Sequence, residues 1–132
     1  MSNIRILGVL QRIAIVNLVC GLFLIYAEIK ALWYVSAIIL AGYWALMTLI
    51  PVPGFGPANL DQTTNLAAWL DKLVLGKHVW VWTKVYDPEG ILSTLPALVS
   101  GFIGVLAGST FMKSDNERDR LINLLVYGNT LI

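Results

Sequence analysis

ALWYVSAIILAGYWALMTLI, residues 31–50, decides the fold: twenty consecutive residues without one Asp, Glu, Lys, Arg or His. Wound as an α-helix they reach about 30 Å, the thickness of a bilayer's hydrocarbon core. Trp33 and Tyr34 stand at the start of the run, where amphipathic rings favour the headgroup level. Upstream, Glu28, Ile29 and Lys30 form a short polar turn, and before it lies a second apolar run, residues 6–27. Basic residues ahead of an apolar stretch resemble a signal peptide, but residues 13–27 lack a small-x-small cleavage site, and another apolar segment follows at once. The two runs are therefore expected to form a tight antiparallel hairpin of membrane spans.

Downstream, Pro51-Val52-Pro53-Gly54-Phe55-Gly56-Pro57 stops the helix, because prolines remove amide donors and glycines admit turn conformations. The long loop that follows, residues 51–90, holds one amphipathic stretch at 66–75. Leu66, Trp69, Leu70 and Leu73 recur there at three- and four-residue spacing, with Asp71 and Lys72 pointing away. This spacing predicts a short helix lying at the membrane surface. Trp80, Trp82 and Tyr86 keep the rest of the loop at the interface. Asp87-Pro88-Glu89-Gly90 reads as a turn and a helix start, with Pro88 in the first helical turn and acids beside the positive end of the dipole. Residues 91–112 are a third span, carrying Pro96 and the series Gly101, Gly104, Gly108, whose last two make a GxxxG pair suited to close helix approach. A polar connection, 113–120, leads to an apolar run at 121–132 that is too short to cross. The fold class is all-α: a polytopic membrane protein with three full spans, a truncated fourth, and a long interfacial loop carrying a short amphipathic helix.

Composition agrees. Hydrophobic residues make up 58% of the chain and charged residues 13%, with a mean hydropathy of +0.75. Soluble domains average about 45–50% apolar and about 25% charged, so water is the wrong solvent for this chain. A net charge of +1 without a basic stripe excludes nucleic acid as a partner. One cysteine, Cys20, and one histidine, His78, make neither a disulfide nor a metal site.

The residues able to carry chemistry gather at one membrane face. Gln11 and Arg12 lie near the outer end of the first span. Such an arginine either snorkels to headgroups or clamps an anion with its guanidinium fork. His78 in the loop is either an ordinary exposed histidine or a proton shuttle. Asp87 and Glu89 either cap the third span or orient a polar substrate at the membrane mouth. The loop side carries Arg5, Arg12, Lys72, Lys77 and Lys84; the opposite side concentrates Lys30, Lys113, Arg118 and Arg120 in short segments. Short loops weigh more in the positive-inside rule, which puts the long loop outside.

Three ordered stretches resemble a known family. Ile6-Leu7-Gly8-Val9-Leu10-Gln11-Arg12-Ile13 is similar to its "IPGVLQRI" segment. Gly42-Tyr43-Trp44, Pro51-Val52-Pro53-Gly54 and Asn65-Leu66-Ala67-Ala68-Trp69-Leu70-Asp71 resemble its long-loop signature. Leu75-Gly76-Lys77-His78-Val79-Trp80 and Asp87-Pro88-Glu89-Gly90-Ile91-Leu92-Ser93-Thr94-Leu95-Pro96 resemble a third block. The family is that of heparan-α-glucosaminide N-acetyltransferase and its NagX-like bacterial relatives with a DUF5009-type domain. The resemblance implies transfer of acetyl from acetyl-CoA across the membrane to an amino-sugar acceptor. It implies His78 and Asp87 as catalytic candidates, with Gln11, Arg12 and Glu89 binding substrate or bracing the outer mouth. It also implies a bacterial inner-membrane location, with loop 51–90 in the periplasm.

The family's histidine-bearing motif does not occur in these 132 residues, and Gly56-Pro57-Ala58-Asn59-Leu60-Asp61 departs from the usual "GPGNLDPEG". Residues 1–132 are thus expected to be a partial transmembrane acyltransferase domain, inactive alone, whose partners are lipid, further transmembrane helices and the acceptor, with a second copy as a candidate. Two alternatives stay open: a small non-enzymatic membrane protein acting through helix–helix association, and a transporter-like module.

Overall fold

Residues 8–76, 88–113 and 116–130 are described by a computed structural model. Five helices follow one another: α1 (Val9–Tyr26), α2 (Ile29–Leu49), α3 (Leu66–Leu75), α4 (Thr94–Lys113) and α5 (Glu117–Thr130). Among the described residues α1, α2 and α4 are long and apolar enough to cross a membrane. The boundaries refine the reading of the sequence. Only Ala27 and Glu28, both extended, separate α1 from α2, so Ile29 and Lys30 belong to a helix and not to a polar turn. The third span begins at Thr94, because residues 91–93 form a turn; the proline in its first turn is Pro96, not Pro88. Pro96 is the third residue of α4, where a backbone amide has no intrahelical partner, so the missing N–H is harmless there. The polar connection is shorter than expected. Glu117 already opens α5, which at 14 residues rises about 21 Å, short of a full crossing.

The side-chain contacts give the direction of each helix. Arg12 in the first turn of α1 reaches residues 88 and 93, just ahead of α4. Further along, Phe23 of α1 stacks on Phe102 of α4 with ring centroids 5.0 Å apart. The two helices therefore run the same way. Leu32 near the start of α2 shares a buried cluster with Leu106 towards the end of α4, whereas Met47 at the end of α2 packs near Leu92. So α2 runs opposite to both, as a hairpin requires. Its packing is different from a simple hairpin, though: α4 lies against both α1 and α2, which touch each other little.

The core of the three spans is Cys20, Leu32, Phe102 and Leu106, with Val16, Val19 and Phe23 around it. Gly101 lets α1 and α4 close up, since a Cβ there would sit 2.7 Å from Cys20 Sγ and from Val16 Cγ1. The predicted contact pair behaves otherwise. Gly104 and Gly108 meet nothing within 4 Å, and Ser100, Gly104, Ala107 and Gly108 form an open stripe of small residues along α4. Cys20 is the only buried residue of α1. Helices so widely apolar on their outer surfaces suit a lipid solvent.

At the end of α2 the chain turns tightly. Val52 pairs with Gly56, and Gly54 and Gly56 take positive φ values, which glycine adopts without steric penalty. Ala58 also stands at φ 57°, held by its N–H donating to Thr48 O at 3.1 Å. Asp61 then organises the approach to α3, accepting from the Thr63 N–H and hydroxyl at 2.8 Å each. Those bonds hold the Asp61 carboxyl below its usual pKa, the backbone amide contributing most. Asn65 caps α3 by accepting from the Ala68 N–H at 2.9 Å.

A polar site at the loop end of the spans

The amphipathic helix is where the sequence placed it, but its inner face is not the expected one. Leu66, Ala68, Asp71 and Leu75 point inward, while Trp69, Leu73 and Val74 are exposed. Asp71, read from the sequence as pointing away, is 1% exposed and among the most buried side chains described. Its Oδ1 accepts from the Ile91 N–H at 3.0 Å. Gly90 is buried against the same carboxylate, and a Cβ there would fall 2.0 Å from Asp71 Oδ2. Only glycine fits at position 90 while Asp71 keeps this place.

The opposite side of the turn is held from α1. The Arg12 guanidinium donates from one terminal nitrogen to Pro88 O at 3.1 Å and from the other to Ser93 O. Its Nε is buried with no partner among the described residues. The hydroxyls of Ser93 and Thr94 both donate to Gly90 O at 2.9 Å, and Ser93 Oγ also approaches Pro88 O at 3.2 Å. Residues 88–93 thus carry carbonyls turned to a cation and an amide turned to a carboxylate. Charge-assisted bonds of this kind are the stronger class.

Of the residues singled out from the sequence, Arg12 and Glu89 come together here: Glu89 lies half-buried in the turn that Arg12 holds. Gln11 is exposed at the start of α1, its Oε1 near Gly8. His78 and Asp87 lie outside the described residues. Sequence reasoning missed Asp71 and Gly90 as partners. Hydrophobic periodicity could not find them, because Asp71 lies off the stripe formed by Leu66, Trp69, Leu70 and Leu73. A separate cleft of about 210 Å³, lined among others by Phe55, Thr63, Trp69 and Lys72, opens beside α3 and contains none of the candidates.

These features define an all-α polytopic membrane protein whose polar groups meet where helices α1, α2 and α4 end beside a structured loop. The sequence is similar to heparan-alpha-glucosaminide N-acetyltransferase of Homo sapiens, 34% identical over 110 aligned positions covering 64% of this chain and 17% of the relative. It is also similar to heparan-alpha-glucosaminide N-acetyltransferase of Mus musculus, at 31% identity over 106 positions, 61% of this chain and 16% of that protein. The match spans about a sixth of the length of these proteins. No family model matches the chain. No solved structure matches it.

Proposed function

We propose that this chain supplies the acceptor-side mouth of a membrane acyltransferase, which moves acetyl from acetyl-CoA to the amine of a sugar on the other side of the bilayer. The observation that carries this reading is the convergence of Arg12 and the turn at 88–93 at one end of the spans, in a chain similar to two N-acetyltransferases. In the overall reaction the thioester C–S bond breaks, an amide C–N bond forms, the amine gives up a proton, and coenzyme A leaves as a thiolate that takes up a proton. Carboxylates and an imidazole are the groups suited to receive that proton. Glu89, Asp87 and His78 are the candidates in this chain, with Gln11 and Arg12 bracing the mouth.

The donor fits the opposite face. The phosphates of acetyl-CoA call for cations, and Lys30, Arg118 and Arg120 stand at that end of the helices. On the loop side Arg12 directs both terminal nitrogens to backbone carbonyls. Loop 51–90 then faces the acceptor compartment, the periplasm in a bacterial inner membrane. The family's histidine motif is not among these 132 residues, so the acetyl-accepting step is assigned to other segments and the chain alone is inactive.

The test is an acetyl-transfer assay in membranes with labelled acetyl-CoA and glucosamine. The chain is assayed alone, and together with the histidine-bearing part of a relative. Transfer only in the combination supports the reading. No transfer in either, with insertion verified, overturns it. It would then favour a non-enzymatic protein associating through the open Ser100, Gly104, Ala107 and Gly108 stripe.

A further inference from the structure

A buried carboxylate on a short loop helix has a large desolvation penalty, which makes the partner it keeps informative. Asp71 sits on α3, twenty residues before the amide it holds, and sequence alone leaves that turn free to stand elsewhere. Three observations say that it does not. The carboxylate is 1% exposed, one oxygen accepts from the Ile91 N–H at 3.0 Å, and the other lies where a Cβ of residue 90 would stand. Helix α3 is itself fixed, capped by Asn65 and packed through Leu66 on Met47 and Val52 at the end of α2.

We infer that Asp71 is a positioning residue: with Gly90 it latches the turn at residues 88–93 to α3, and so sets where Glu89 stands at the mouth of the spans. Arg12 holds the carbonyls at residues 88 and 93, and Asp71 holds the amide at residue 91. The two grips come from different elements, α1 and α3, so neither helix can shift without carrying the turn. A cation could not replace Asp71, since it faces an N–H, and a carboxylate could not replace Arg12, since it faces C=O groups. The value of the latch to catalysis rests on the function proposed above; the latch itself does not.

The experiment measures hydrogen exchange by mass spectrometry across residues 88–95, on the full chain in lipid nanodiscs. The variants are Asp71→Ala, Gly90→Ala and the double variant. Asp71→Ala removes the acceptor, and Gly90→Ala drives the carboxylate off it. Each should speed exchange in the segment at least tenfold. The double variant should be no faster than either, because the added methyl no longer meets a carboxylate. Asp71→Asn, which keeps an oxygen facing Ile91, should restore most of the protection and serves if the alanine variants fail to insert. Unchanged exchange in Asp71→Ala, additive acceleration in the double variant, or an Asn variant as fast as Ala would each overturn the latch. Acetyl transfer is read separately, so silence in that assay refutes the proposed function and leaves the exchange result standing.

Discussion

Replacing Arg12 with alanine removes two charge-assisted hydrogen bonds to the carbonyls of residues 88 and 93. Such bonds contribute about 1.5–3 kcal/mol each when well formed. Two corrections lower the sum. The Pro88 contact is exposed, so water can take the place of the guanidinium at that carbonyl. Losing the guanidinium also removes a buried Nε that has no described partner. A net destabilisation of about 2–3 kcal/mol follows, on the order of a hundredfold in the folding equilibrium. Arg12→Lys should retain roughly half, because one ammonium cannot span two carbonyls five residues apart as a planar fork does. The assay is equilibrium unfolding in mixed micelles followed by tryptophan fluorescence. An alanine variant within about 0.5 kcal/mol of the parent, or a lysine variant equal to it, would refute the reasoning.

Three further predictions probe the scaffold. Gly101→Val should weaken folding by about 1–3 kcal/mol in the same assay, through collision with Cys20 and Val16, whereas Gly104→Val meets nothing and should leave stability nearly unchanged. Ala58→Gly should raise stability by about 0.5–1 kcal/mol, visible as a higher melting temperature, because relief from the left-handed φ outweighs glycine's extra chain entropy. For Asp61, whose folded pKa is depressed, the stabilising contribution is complete above the ordinary carboxylate value and disappears as pH falls through the lower folded value. Trp69 fluorescence should therefore hold steady down to about pH 4 and change below it, and Asp61→Asn should flatten that change.

Much of the fold was legible because lipid simplifies the rule. A run such as residues 31–50 has one physical solution, and the Pro51–Pro57 segment stops it wherever its neighbours lie. The bounds of α3, Leu66 and Leu75, were legible for a similar reason: Asn65 caps one end, and Gly76 follows the other. Its facing was not. With Leu66, Trp69, Leu70 and Leu73 at helical spacing, periodicity favours exposing the acid, and a partner such as the Ile91 amide, twenty residues away, is invisible to it. The same limit applies to the glycines of α4. Spacing marked Gly104 and Gly108, but the close approach to α1 falls on Gly101, chosen by the positions of Val16 and Cys20 on another helix. Arg12 was noticed for its charge, while its partners, two carbonyls, carry no signature in sequence.

The central place of α4 also has a consequence for biogenesis. Helices α1 and α2 barely touch, and each takes its main contacts from a helix that begins forty-five residues after α2 ends. At a synthesis rate of about 5–20 residues per second, the nascent pair waits some two to nine seconds for the element that joins it. During that interval the two segments diffuse in the bilayer tied only by Ala27 and Glu28. A chaperone or protease of the membrane would find its opportunity there, before the third span arrives.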